Sequence, residues 1–341
     1  MIAGIGDCIL ASRAFRAMRN AYPDAEIHLI TSRDAVPLAR HYPYLDTIWE
    51  FPIREIRKRK RFLIAMLHIM LRIRKIHFDM AVNLHPVASL RGALQMGLLF
   101  SFVNALVKIG HDYRFFRAVV NKKIPDALFR NRHYADVYLD VAVIAGGKPD
   151  DVGIEVFSDP AGVKRWHDIL GEKSESDRHP FIGINPGGDQ PRKRLPPKRF
   201  AAVADALIEQ YAARIVILGA PDEVSISNTI QIALKNNAVN LAGKLTLDAL
   251  VYVIGRLDLL ITNDSAPMHI AAARGIKQVA IFGPGYPVRF RPYTDQKNYV
   301  LLYKELACRP CNNKPCDHIA CINTITVDEV VAAVQSLLNG K

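Results

Sequence analysis

The chain has 341 residues, half of them hydrophobic and 23% charged, so it has ample core for two ordinary domains and is not a disordered chain. Its formal net charge of +12 is unevenly placed. Residues 1–150 carry 23 Lys/Arg against 13 Asp/Glu (23 − 13 = +10) and the remainder 22 against 20 (+2), so only the first half invites an anionic partner.

In chain order, "CILASRAFRAMRNAY" has apolar positions at helical spacing and "EIHLITS" reads as a strand. "DAVPLARHY" predicts a short helix, "TIWEFP" a strand, and residues 54–75 a long basic helix. "FDMAVNLH" is a strand, and residues 89–107 read as one further helix. After "AGGKPDD" at 145–151 the pattern restarts with the strand and glycine turn "PFIGINPGG" and the helix "PKRFAAVADALIEQY". "ARIVILGAPDE" is a strand and loop, "LDLLITNDSAPMHIAAARG" a strand, loop and helix, and "KQVAIFGPG" another strand with a glycine turn. "TVDEVVAAVQSLL" closes the chain as a helix with Thr326 as N-cap. This alternation predicts an α/β protein of two doubly wound parallel-sheet halves. The expected division is 1–150, 151–326 and a C-terminal helix over 327–341, with ligands held at strand carboxyl ends facing a cleft between the halves.

Three strands of the second half end in loops of small and polar residues: "INPGGDQPRKRLP", "VILGAPDEV" and "ITNDSAPMHIAAARG". A loop such as the last, opening a helix, offers free backbone N–H groups and the positive end of the helix dipole, which suits a diphosphate. Asp264 and Ser265 equally suit plain capping of that helix. Lys193 lies beside a glycine turn that includes Gly187, where an ammonium can neutralise a phosphate leaving group. Glu223 follows the turn at Gly219, and an acid after such a strand often bonds a ribose hydroxyl pair.

"GIGDCILASRAFRAMRNAYPDAEIHLITS", "KRLPPKRFAAVADAL", "LGAPDE" and "NDSAPMHIAAARGIKQVAIFGP", in this order from about residue 4 onward, resemble glycosyltransferase family 9, the bacterial lipopolysaccharide heptosyltransferases. "KIGHDYRFFR" and "CRPCNNKPC" look like that family too. The resemblance implies a GT-B fold of two Rossmann-like domains, the first for an acceptor glycolipid and the second for a nucleotide-sugar, typically ADP-heptose. It implies inverting transfer of heptose to the lipopolysaccharide inner core, with no cofactor and no metal ion. By motif match, Asp7 would be the general base, and Lys193 would contact the diphosphate. Glu223 would hold the ribose, and Asp264, Ser265, Ala266 and His269 would lie near the phosphates and donor sugar. Leu195 stands where the family motif has Trp, and Ala266 where it usually has Gly. Relatives carry an apolar strand before the loop of Asp7 where this sequence has "MIA", so the first strand is expected to be missing or truncated.

Residues 54–75 hold nine Lys/Arg and one Glu around an apolar stripe. They fit an ordinary amphipathic helix, or a face for anionic lipid or phosphorylated core sugar through Arg57, Lys58, Arg59 and Lys60, with Arg114 adding to an acceptor-binding surface. No aromatic-studded basic sheet or recognition helix supports nucleic acid. Cys308, Cys311, Cys316 and Cys321, spaced C-x2-C-x4-C-x4-C, would be reduced thiols or a structural zinc site. Together with the absence of a secretory signal pattern, the cysteines point to the cytoplasm. For an enzyme of the family resembled, the basic helix implies peripheral contact at the cytoplasmic face of the inner membrane. Other readings of the same residues are a family member using another nucleotide-sugar or acceptor, a GT-B-fold nucleotide-sugar epimerase, or a non-catalytic binding protein.

Overall fold

In the computed structural model, residues 4–51, 59–159, 163, 166, 179–309, 311, 316 and 318–339 are described. The chain divides into two compact units, Met1–Ile154 and Glu155–Lys341.

The first unit opens with two consecutive helices, α1 (Ile5–Leu10) and α2 (Ser12–Ala21), joined at Ala11. Their Cys8, Ile9, Leu10, Ala14 and Phe15 are buried, which is what the helical apolar spacing requires. β1 (His28–Ser32), α3 (Val36–Ala39) and β2 (Thr47–Phe51) follow, and β1 pairs with β2 in parallel. Then come α4 (Arg59–Ile73), β3 (His77–Val82), α5 (Leu90–Phe102), β4 (Asn104–His111), β5 (Lys122–Ile124) and α6 (Tyr134–Ile144). β3, β4 and β5 form a second parallel sheet.

Two expectations change here. The predicted helix over 89–107 ends at Phe102, and 104–107 belong to β4. The segment is mostly apolar on both sides of that point, but Val103 and Val107 are β-branched and the chain finds a ladder on β3, from His77↔Asn104 to Val82↔Ile109. The strands also form two sheets rather than one, with no described strand joining β1 to β3. Side chains of both strands, among them Leu29, Ile30, Phe78 and Met80, line a largely apolar cavity of about 540 Å³. Where the chain leaves this unit, the buried Arg16 on α2 grips Asp150 with Nε and Nη2, each at 2.8 Å. That guanidinium holds the Asp150 carboxyl below its ordinary range.

The second unit is a six-stranded parallel sheet in the order β11-β10-β9-β6-β7-β8. The strands are β6 (Phe181–Asn185), β7 (Arg214–Ile217), β8 (Val239–Asn240), β9 (Leu259–Asn263), β10 (Lys277–Phe282) and β11 (Tyr299–Tyr303). Crossover helices are α7 (Pro197–Tyr211), α8 (Val224–Ala233), α9 (Leu247–Arg256), α10 (Ala266–Ala273) and α11 (Pro287–Phe290). α12 (Ala320–Asn323) and α13 (Val327–Leu338) close the chain, and α13 packs on α7, β10 and β11. The α7 and α13 bounds follow the predicted segments. Thr326 caps α13 through a reciprocal box, accepting from Glu329 N at 3.2 Å while Glu329 accepts from Thr326 N at 2.9 Å. Ile182, Ile184, Leu259, Ile261, Val279 and Ile281 are fully buried, the near-continuous apolar runs of strands covered on both faces. Strand order reverses between β6 and β9, so their carboxyl ends are where this topology opens a crevice for ligands.

Candidate functional site

At that reversal point in the second unit, two asparagines end the central strands. Asn263, fully buried, donates from Nδ2 to the carbonyls of Pro186 (2.8 Å) and Gly187 (3.0 Å) and accepts from Leu195 N at 3.1 Å. One amide thereby pins the loop after β6 and the segment leading into α7. Asn185 donates to Thr262 Oγ1 at 3.1 Å and to Ser265 Oγ at 3.0 Å, fixing the entry to α10. Neither asparagine was read as a site residue. The signal available was a polar amide at the last position of an otherwise apolar strand, a burial that costs free energy unless every bond is made.

The loops so held bring the expected residues together. Lys193 Nζ lies 3.1 Å from Asp264 Oδ2 and 3.2 Å from Asp189 Oδ1. Burial alone would push this lysine down, but the two carboxylates outweigh it and hold it above its ordinary value, so it stays cationic. Ser265 is the N-cap residue of α10, yet its side chain does not bond the first turn; its hydroxyl donates to Asn263 O at 3.1 Å. Ala266 opens the helix, and His269 is buried one turn on. Leu195, where the family motif has Trp, is buried in the core of this unit.

Glu223 sits in a short turn after β7, past Gly219, which packs against Ala242 and Ser227. Its Oε1 accepts from Gly188 N at 2.7 Å and its Oε2 from Ala220 N at 3.0 Å. The carboxylate therefore ties the loop after β6 to the loop after β7, with one lone pair left on each oxygen for a further donor. Gly187 makes this possible: a Cβ there would fall 2.0 Å from Glu223 Oε2.

In the first unit, Asp7 lies in the first turn of α1, whose N-cap is Gly4, and its side chain is about a quarter exposed (23%). It does not cap the helix. Instead Oδ1 accepts from the buried Tyr138 hydroxyl at 2.7 Å, and Tyr138 Oη lies 2.7 Å from His85 Nδ1. His85 Nδ1 is also 3.9 Å from Asp7 Oδ1, and its ring meets Tyr134 edge-on at 5.9 Å. Burial first, then the Asp7 charge, pushes the Tyr138 hydroxyl well above its ordinary value. Burial lowers His85 despite the pull of Asp7. The neighbouring Cys8 thiol, fully buried, is pushed up to about 12 and is no nucleophile. Tyr138 and His85 carried no motif; only packing of α6 and the loop after β3 onto α1 joins them to Asp7.

Arg114 is exposed, with a backbone φ of +42° and its guanidinium 5.6 Å from the Tyr113 ring. A left-handed arginine is strained, as residues at binding surfaces often are. On α4, Ile64, Leu67 and Leu71 and on α5, Leu90, Leu94 and Leu98 are 43–69% exposed, and the two helices pack together. Arg72, Arg74, Lys75 and Arg91 are exposed on the same elements and the turn that follows α4. Arg57 and Lys58 lie outside the described residues, as do the side chains of Arg59 and Lys60. No described helix is long and apolar enough to cross a membrane. Cys308, Cys311, Cys316 and Cys321 are free thiols, and among the described residues no three His, Cys, Asp or Glu side chains form a metal-holding group.

The sequence profile of glycosyltransferase family 9 (heptosyltransferase) matches residues 66–320, and the chain belongs to that family. It is 36% identical over 164 residues to lipooligosaccharide heptosyltransferase 2 of Campylobacter jejuni, a match covering 46% of this chain and 51% of that one, so the chain spans about half the length of that curated relative. It is 24% identical to lipopolysaccharide heptosyltransferase 3 of Escherichia coli over 98% of this chain and 96% of that one. Among solved structures, the Escherichia coli ADP-heptose lipopolysaccharide heptosyltransferase II superposes with a TM-score of 0.74 at 21% identity, covering 99% of this chain and 96% of that one. That likeness shows the fold: the two units are the Rossmann-like halves of a GT-B fold.

Proposed function

We propose that the protein is an inverting glycosyltransferase that moves a heptosyl residue from ADP-heptose to the inner core of a lipopolysaccharide, without a metal ion. The observation that carries this reading is the loop cluster at the carboxyl ends of β6 and β9. There a lysine held cationic stands at the head of α10, where a diphosphate would find both a charge and a helix N-terminus. The donor's anionic phosphates would replace the carboxylates now paired with Lys193. Glu223 has the spare lone pairs to accept from ribose hydroxyls. Asp7 takes the proton from the acceptor hydroxyl as its oxygen bonds to the anomeric carbon. The carbon–phosphate oxygen bond breaks on the opposite face, and Lys193 with the α10 N-terminus stabilises the departing ADP.

The exposed leucine rows of α4 and α5, set among arginines and lysines, fit a peripheral contact with anionic lipid at the cytoplasmic face of the inner membrane. Arg114 and the basic run 57–60 would serve the same anionic acceptor.

The test is incubation with ADP-heptose and a truncated core acceptor, with mass spectrometry of the product. The expected result is an acceptor heavier by one heptosyl residue. Gain only from a different nucleotide-sugar would assign another donor. Donor turnover without acceptor would indicate an epimerase, and binding without turnover a non-catalytic protein.

A further inference from the structure

We propose that Tyr138 and His85 are positioning residues for Asp7, a hydrogen-bond chain that selects which of its carboxylate oxygens takes the acceptor proton. The inference rests on the reading of Asp7 as the base. A tyrosine hydroxyl has one hydrogen, and here it is given to Asp7 Oδ1 at 2.7 Å. At its 2.7 Å contact with His85 Nδ1 the same oxygen must then accept, so the histidine carries its proton on Nδ1. The chain of donation runs in one direction, from His85 Nδ1–H to Tyr138 O–H to Asp7 Oδ1.

The surroundings hold that direction. Tyr138 is fully buried on α6, so its phenolate form is strongly disfavoured and the hydroxyl remains a donor. Its ring is wedged against His85 and Tyr134, at 6.0 and 5.6 Å between centroids. With Oδ1 engaged, no described donor reaches Oδ2, which is left to face an incoming hydroxyl. When the acceptor hydroxyl gives its proton to Oδ2, its oxygen bonds to the anomeric carbon and the electron pair of the broken bond leaves with the diphosphate. Asp7 becomes neutral with the Tyr138 bond still in place. The chain orients the carboxylate before the reaction and touches no reacting atom.

The experiment is steady-state kinetics of four variants, with thermal unfolding to verify folding. Tyr138→Phe is expected to lower kcat about 10- to 100-fold, the worth of one hydrogen bond to a charged group, with donor KM unchanged. His85→Leu should fall similarly. His85→Asn, which keeps an N–H near the place of Nδ1, should recover to within about threefold of the parent, because it restores the donor to the Tyr138 oxygen. The double variant Tyr138→Phe/His85→Leu should be no slower than Tyr138→Phe alone, since the histidine acts only through the tyrosine. Unchanged kcat in Tyr138→Phe, losses that multiply in the double variant, or a His85→Asn as slow as His85→Leu would each overturn the proposal. Asp7→Asn run in parallel separates the two levels. If it turns over normally, the reading of Asp7 as base fails; if it is inactive while Tyr138→Phe is not, only the positioning chain fails.

Discussion

The two units build their candidate sites by opposite means. In the second, the site is a set of loops tied to each other through main chain: Asn263 bonds three peptide groups and Glu223 bonds two. In the first, the single carboxylate is oriented by side chains alone, Tyr138 and His85, brought in from distant parts of the chain. A backbone-tied site keeps its shape through most substitutions but loses it when one tie is cut. A side-chain-tied site can lose its chemistry to a single atom while the fold is untouched.

That contrast can be broken or sharpened by substitution. The largest effect is expected at Asp7: Asp7→Asn should lower kcat about 1,000-fold, within the range of a lost general base, while ADP binding measured by calorimetry is unchanged. Weakened ADP binding in this variant would mean that the carboxylate serves the donor rather than the acceptor. Lys193→Met should reduce kcat about 100-fold by removing the charge at the leaving phosphate, and should lower the midpoint of unfolding because Asp264 loses this ion pair. A loss confined to KM would place the lysine in ground-state binding only. Asn263→Ala acts on the fold first, leaving three buried peptide groups unpaired; about 3 kcal/mol of stability should disappear in urea titration, together with donor affinity. Stability within error of the parent would remove the claim that this amide ties the loops. The smallest effect lies on the first unit's surface. Changing Arg72 or Arg74 to Gln should weaken partition onto vesicles with anionic lipid roughly fivefold each, and Leu94→Glu should weaken it further. Equal binding by all three variants would remove the α4–α5 face from any membrane role.

Much of the second unit was legible in the sequence because its information is local. Its strands are buried on both faces and read as short apolar runs, and α7 and α13 carry their own start signals, Pro197 at the first position of α7 and the Thr326–Glu329 box. Lys193, Asp264 and Ser265 were visible as loop residues after strands, and the parallel topology alone puts such loops on one edge. The first unit was harder. Residues 93–107 are mostly apolar on both sides of the break, so periodicity could not place the end of α5, and the partner strand β3 decided it.

By itself, the sequence determined the α/β alternation and the order of the polar loops at the strand ends of the second unit, and it singled out Asp7 in the first. Only the tertiary structure decided what holds that acid, because Tyr138 lies 131 positions away on an apolar helix where a tyrosine looks like core. It likewise decided that Glu223 spends bonds on two loops and that Asn263 is their common tie. A hydrogen bond between remote side chains leaves no period in the sequence. It exists only once packing has brought both ends to within 3 Å and removed the water that would otherwise take their place.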